Sequence, residues 1–433
     1  MFKKFTQQAA KKEYKINIDG LNETFKQVCV FESNIELHNS SSLNFSKIIA
    51  LGSTSELVLQ DSTPALEQLE DFISKTKGWL FGYFSYDLKN EIEMLSSKNK
   101  DKMEFPLLHF FSPKIVITIT KEIITIFYNA SFLNKNEAEL ILKNAFLENI
   151  EMAAKEALTI KIETKISKES YVNSVNDLKQ HIRKGDIYEV NFCQEFFAEN
   201  VEIEPANLFE RLNSLSAAPF AAYCKFNTHY VMCSSPERYL HKRNNTLLSQ
   251  PIKGTTRRSK NIEEDAQLKS NLLNNTKEQS ENLMIVDLVR NDLSRIAETG
   301  SVKVDELLGI YSFKQVHQLI STVSCKIKKN ITFTEIIKST FPMGSMTGAP
   351  KIKAMQLIDK YESSRRGLYS GAIGYITPER DFDFNVVIRS ILYNAKKKYL
   401  SFMVGSAITD KSNAEDEYDE CLLKAKAMLE VLQ

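Results

Sequence analysis

Tyr230-Val231-Met232-Cys233-Ser234-Ser235-Pro236-Glu237-Arg238-Tyr239-Leu240-His241-Lys242-Arg243-Asn244-Asn245-Thr246-Leu247-Leu248-Ser249-Gln250 reads as two extended arms about a polar turn, because apolar and aromatic residues flank Lys242 to Asn245 on both sides. With the turn centred near Arg243 and Asn244, Glu237 faces about Gln250. Lys253, in Pro251-Ile252-Lys253-Gly254-Thr255, then lies about three residues further, roughly 10 Å at 3.3 Å per residue. A small ring fits that gap. Upstream, Lys114 to Tyr128 repeats the pattern, IVITIT and IITIFY about Lys121-Glu122, and gives another hairpin. Strands mix with helical stretches without regular βαβ alternation. The expected class is therefore α+β, with helices packed outside large antiparallel β-sheets.

At 433 residues the chain has ample length to bury a core. Its 56 Lys and Arg nearly cancel 55 Asp and Glu, for a net charge of +1, so no field favours nucleic acid or an anionic membrane. Neither partner is expected. The six cysteines, Cys29, Cys193, Cys224, Cys233, Cys325 and Cys421, have no C-x-x-C spacing, which argues against a zinc site or a disulfide framework and for a reducing cytoplasm. Met1-Phe2-Lys3-Lys4-Phe5 is basic but has no apolar run behind it, so it is not read as a signal peptide. No stretch approaches the roughly 20 apolar residues that span a bilayer. Asn134 to Lys168 passes from a helical pattern to a Lys- and Glu-rich stretch, read as the passage between an N-terminal region, residues 1–150, and a larger catalytic region. Tyr171 to Lys184 has helical apolar spacing and stops at Gly185.

Glu278 and Glu281 precede the apolar run Leu283-Met284-Ile285-Val286, and Glu417 and Glu420 repeat the spacing with Lys424 one turn on. On a helix each pair shares a face. Two such pairs converging on one ion suit a hard cation, Mg²⁺ in particular. Phe341 to Lys351 is glycine-rich and leads into a helical stretch. Its spacing departs from G-x-x-x-x-G-K-[ST], but bare amides at a helix start seat a carboxylate as well as a phosphate. Each feature has a bland reading when taken alone: Lys253 as a solvated lysine, Glu237 as a surface carboxylate, Glu420 with Lys424 as an i,i+4 pair, His317 as a half-buried structural histidine.

Taken in order, these segments resemble the chorismate-binding enzymes, the family of anthranilate synthase component I, aminodeoxychorismate synthase component I and the isochorismate and salicylate synthases. The resemblance covers residues 169–430: Gly185 to Asn191, Ser235-Pro236-Glu237-Arg238, Pro251 to Thr255, Glu281 to Leu288 with Arg290 to Leu293, Gly344 to Lys351, Tyr369 to Tyr375, Val387 to Ser390, and Glu417-x-x-Glu420-x-x-x-Lys424. Before Ile150 it rests mainly on Gly82 to Leu88.

The resemblance implies a fold of large antiparallel sheets in a sandwich, and a substrate, chorismate, whose C4 hydroxyl must be expelled. Mg²⁺ held by Glu278, Glu281, Glu417 and Glu420 would bind the ring carboxylate. Glu237, kept protonated by burial, would be the general acid. Lys253 stands where anthranilate synthases normally carry alanine, and marks the branch that aminates chorismate at C4. There the lysine attacks C2 as a neutral amine, its pKa lowered by burial near a cation, and ammonia then replaces it at C4. Ser345, Tyr369, Arg389, Gly405 and Lys424 match substrate-contact positions, and His317 a histidine near the reacting centre. Glu189 stands where isochorismate synthases have a water-activating lysine and ammonia-using synthases normally have glutamine. Ala407 departs from the usual G-x-G after Gly405. With no cysteine in a G-x-C-x-G elbow, ammonia is expected from a separate glutamine amidotransferase subunit, in para-aminobenzoate and folate synthesis. The alternative is anthranilate synthase component I, against which Lys253 argues.

Overall fold

The computed structural model describes residues 2–9, 14–34, 45–60, 64–146 and 160–433. The expected boundary near residue 150 and much of the Lys- and Glu-rich passage lie outside the described residues. Among the described residues twenty strands join in one hydrogen-bonded network whose pairings are antiparallel, and eleven α-helices accompany them.

The alternation of side chains builds the layers. On the Lys47–Leu59 strand, Ile49 and Leu51 enter one core and Ile48 and Ala50 another. On the Ala372–Ile376 strand, Ile373 and Tyr375 share that second core while Ala372 and Ile376 enter a third. The second core draws on strands and loops, so it is the space between facing sheet surfaces. Helices such as Lys168–Arg183 and Ala414–Val431 cover one outer surface, and Ala65–Lys75 and Thr276–Ser294 the other. The expected α+β sandwich with outer helices is observed. The N-terminal strands belong to the same network: Gln27–Glu32 pairs with Phe220–Phe226, and Leu80–Phe84 with Ala372–Ile376. In the second pairing Gly82 lies opposite Gly374, and a Cβ on either would press within 2.2 Å of a neighbouring strand's carbonyl oxygen.

The opening hairpin forms with a shifted register. Arg243 pairs with Thr246 across Asn244-Asn245, with Asn244 at φ +53°, a two-residue turn that asparagine tolerates. The turn sits one residue later than expected and an irregularity follows, so Arg238 rather than Glu237 faces Gln250. Glu237 falls in the break after Pro236, between the His229–Ser235 and Arg238–Arg243 strands. Lys253 lies on the Ile252–Arg257 strand where its pairing with the Val316–Lys326 strand slips between Ile252 and Thr255. Gly254 supplies φ +90° there, a conformation costly to a residue with a Cβ.

Candidate active site

Ten of the twelve candidate residues line one cavity of about 710 Å³: Glu237, Lys253, Glu278, Glu281, Ser345, Tyr369, Arg389, Gly405, Glu420 and Lys424. They arrive from sequence positions up to 187 residues apart (424 − 237). His317 and Glu417 are not on its wall.

Lys253 Nζ donates to Glu189 Oε1 at 2.8 Å, with the two side chains 10% and 1% exposed. Burial alone would push this ammonium down, but the Glu189, Glu281 and Glu237 carboxylates outweigh it and hold the lysine well above its ordinary range. The expected lowering called for a nearby cation, and the protein's own carboxylates act in the opposite direction. Burial pushes the Glu237 carboxyl up to about 7, against the pull of the Ser345 hydroxyl and of Lys253. Ser345 Oγ donates to Glu237 Oε1 at 2.5 Å.

The glutamate pairs sit near the N-termini of two helices. Asn275 caps Thr276–Ser294, and Asn413 caps Ala414–Val431, ends where the helix dipole favours carboxylates. Burial pushes Glu281 up to about 7, with Lys253 opposing and Glu189 adding to the rise. Burial and Glu420 raise Glu278. For Glu420 burial is outweighed by Lys424, Lys277 and Lys253, and its carboxyl is lowered. Lys277, which the sequence reading passed over, joins the pairs: its Nζ stands 2.9 Å from Glu417 Oε1 and 3.8 Å from Glu281 Oε1. Glu417, held by this contact, does not line the cavity.

Whether a hard cation suits these residues can be judged from their oxygens. Glu281 Oε1 and Glu417 Oε2 are buried without a hydrogen-bond partner among the described residues, and an ammonium already bridges the two helices. Donor type and charge therefore fit Mg²⁺. Among the described residues no three carboxylates stand together as a ready-made ligand shell, and the Lys277 ammonium stands between Glu417 and Glu281.

Arg389 lines the cavity. Its backbone is held at φ +52°, burial pushes its guanidinium down, and among the described residues no side-chain bond satisfies it. Tyr369 Oη contacts Cys193 Sγ at 3.6 Å. Lys424 Nζ donates to the Gly405 carbonyl at 2.8 Å and pairs with Glu420 Oε1 at 2.5 Å. Gly405 is required by the neighbouring strand, since a Cβ there would come within 2.4 Å of Cys193 Sγ.

His317 is corrected by strand geometry. Its ring meets Ser312 Oγ at 2.8 Å and Asp265 Oδ1 at 3.1 Å, while the next residue, Gln318, lines the cavity. Neighbours on a strand point to opposite faces, so a one-residue difference takes the side chain off the cavity wall, where His317 is buried. Gln318 Nε2 donates to Thr255 Oγ1 at 3.3 Å and its Oε1 is buried without a partner. Counting alternation along Val316–Lys326 would have found it.

The sequence profile of the chorismate binding enzymes matches residues 19–430. The chain belongs to the chorismate-binding enzyme family. Two relatives are similar over most of it. A chloroplastic aminodeoxychorismate synthase of Arabidopsis thaliana is 36% identical over 81% of this chain and 40% of its own length. An aminodeoxychorismate synthase component 1 of Salmonella typhimurium is 31% identical over 82% and 77%. This chorismate-binding chain thus spans less than half of the plant relative. The crystal structure of anthranilate synthase component I from Streptococcus pneumoniae superposes with a TM-score of 0.78 at 26% identity, covering 91% of this chain and 94% of that one. Among the described residues no helix is long and apolar enough to cross a membrane.

Proposed function

We propose that this chain aminates chorismate at C4 to give 4-amino-4-deoxychorismate, on the route to para-aminobenzoate and folate, with ammonia delivered by a partner glutamine amidotransferase. The observation that carries this reading is Lys253, a primary amine buried in the same cavity as a carboxyl that burial holds near 7. The names of the Arabidopsis and Salmonella relatives support it.

Arg389 and the cavity's other polar groups hold the substrate carboxylates, with the guanidinium suited to a bidentate grip. Lys253, as the free amine, bonds to C2 while both conjugated ring double bonds shift, to C1=C6 and C4=C5, and the C4–O bond breaks. Glu237 gives its proton to that oxygen, which leaves as water. Ammonia then bonds to C4, the electron pair of the C2–N bond returns to Lys253, and Glu237 recovers a proton from the new ammonium. The enolpyruvyl group is untouched. Mg²⁺ would be held by Glu278, Glu281 and Glu420, with Glu417 behind them, and when bound would draw charge through the ring carboxylate.

Purified protein supplied with chorismate, Mg²⁺ and ammonium should yield an aminated product that retains its enolpyruvyl group. Fluorescent anthranilate together with pyruvate would overturn the reading in favour of anthranilate synthesis.

A further inference from the structure

A buried lysine that must act as a nucleophile needs somewhere to put its proton, and Lys253 has one neighbour placed to take it. Glu189 opens the Glu189–Ala198 strand and is 1% exposed. Its backbone is fixed by close approach to Gly348, where a Cβ would come within 2.2 Å of the Glu189 carbonyl. Among the described residues its carboxylate has a single hydrogen-bond partner, Lys253 Nζ at 2.8 Å, and Oε2 is buried with none. Among the described residues no second donor competes for the carboxylate. The other charged groups facing the pair are Glu237 from the loop before Arg238, Glu278 and Glu281 from the Thr276–Ser294 helix, and Glu420 from the Ala414–Val431 helix.

We propose that Glu189 accepts the proton of Lys253, producing the nucleophilic amine at the cavity wall, and keeps that proton until the lysine is released. This rests on the reading of Lys253 as nucleophile given above. The balance closes. The ammonium and carboxylate become amine and carboxylic acid. The amine attacks C2 and becomes a secondary ammonium as water leaves with the proton from Glu237. When ammonia bonds to C4, Lys253 departs as a neutral amine and takes its proton back from Glu189. The ion pair is restored, and no oxidant or extra acid is consumed.

The test isolates the first half of the cycle. Full-length protein is mixed with chorismate and Mg²⁺ without ammonia, quenched at intervals, and the adduct on Lys253, chorismate less one water, is followed by peptide mass spectrometry across pH. In the unaltered protein the proton moves internally, so the adduct rate should be flat below about pH 7 and fall above it as Glu237 ionises. In Glu189→Gln the lysine must lose its proton to water. With a reference pKa of about 10.4, its rate should climb about tenfold per pH unit below about 7, and lie at least 100-fold below the unaltered protein at pH 6. Glu189→Asp should keep the flat profile at reduced amplitude. A Glu189→Gln profile of unchanged shape, merely scaled, would mean a packing role and would overturn the proposal while leaving the nucleophile in place. Failure of the unaltered protein to form any adduct overturns the lysine chemistry itself. Thermal unfolding of each variant identifies a folding defect, and the aspartate variant then decides between the outcomes: a flat profile supports proton acceptance, and a tenfold slope overturns it.

Discussion

Replacing Glu237 with glutamine removes the ionisable group while keeping an oxygen for Ser345 to donate to, and its effect on stability can be worked out from the buried carboxyl. In the unfolded chain the group titrates near 4.5, and in the fold burial moves it to about 7. Between those values the folded protein holds a proton that the unfolded chain has released, so this group's contribution to stability falls as pH rises, and levels off above about 7. From about pH 5 to 8 the loss amounts to about 1.8 pKa units, or about 2.5 kcal/mol at ~1.36 kcal/mol per unit. Unfolding entropy of ~2.1 cal/mol/K per residue gives roughly 0.9 kcal/mol/K for a chain of this length. The Tm of Glu237→Gln relative to the unaltered protein should therefore rise by about 3 °C between pH 5 and 8. Differential scanning fluorimetry of both proteins across that range measures it, and titrations common to the two cancel in the difference. A difference that stays flat, or runs the other way, would mean that Glu237 ionises as readily in the fold as out of it. It would then carry no proton to donate at neutral pH.

Ser345→Ala removes the hydroxyl that pulls the Glu237 carboxyl down. A hydrogen bond to a charged group contributes ~1.5–3 kcal/mol, so the alkaline fall of Lys253 adduct formation should move up by about one pH unit, as read by the same mass spectrometry. Arg389→Ala takes away a cavity-lining guanidinium without a side-chain hydrogen bond among the described residues, and should raise KM for chorismate about 10- to 100-fold with kcat reduced far less; steady-state kinetics separate the two. Lys277→Met removes the ammonium lodged between Glu417 and Glu281. Magnesium affinity by titration calorimetry should rise by about tenfold, ~1.4 kcal/mol, whereas a loss of affinity would show that the ammonium supports the carboxylates rather than competing for them.

The hairpins, the helical glutamate spacing and the α+β class are local patterns, and they were legible because period-two and period-3.6 alternation is written residue by residue. The register of the Tyr230–Gln250 hairpin was legible only to within a residue, since a two-residue turn at Asn244-Asn245 and a bulge near Arg238 have weak local signals. That single step separates Glu237 from Arg238 opposite Gln250, and the same kind of step separates His317 from Gln318 at the cavity wall.

By itself the sequence determined which chemical groups the site can contain: an amine at Lys253, a proline-flanked carboxyl at Glu237, two glutamate pairs on helix faces and a guanidinium at Arg389. The tertiary structure alone decided their charge and company. Lys253 reads as a nucleophile in sequence, but the fold seals it against Glu189 beside Glu281 and Glu237, and so keeps it an ammonium until a proton is moved. Lys277, unremarked in sequence, becomes the cation between two helices. The physical reason is that a pKa depends on burial and on charges within a few ångströms, and those neighbours come from strands and helices far apart along the chain.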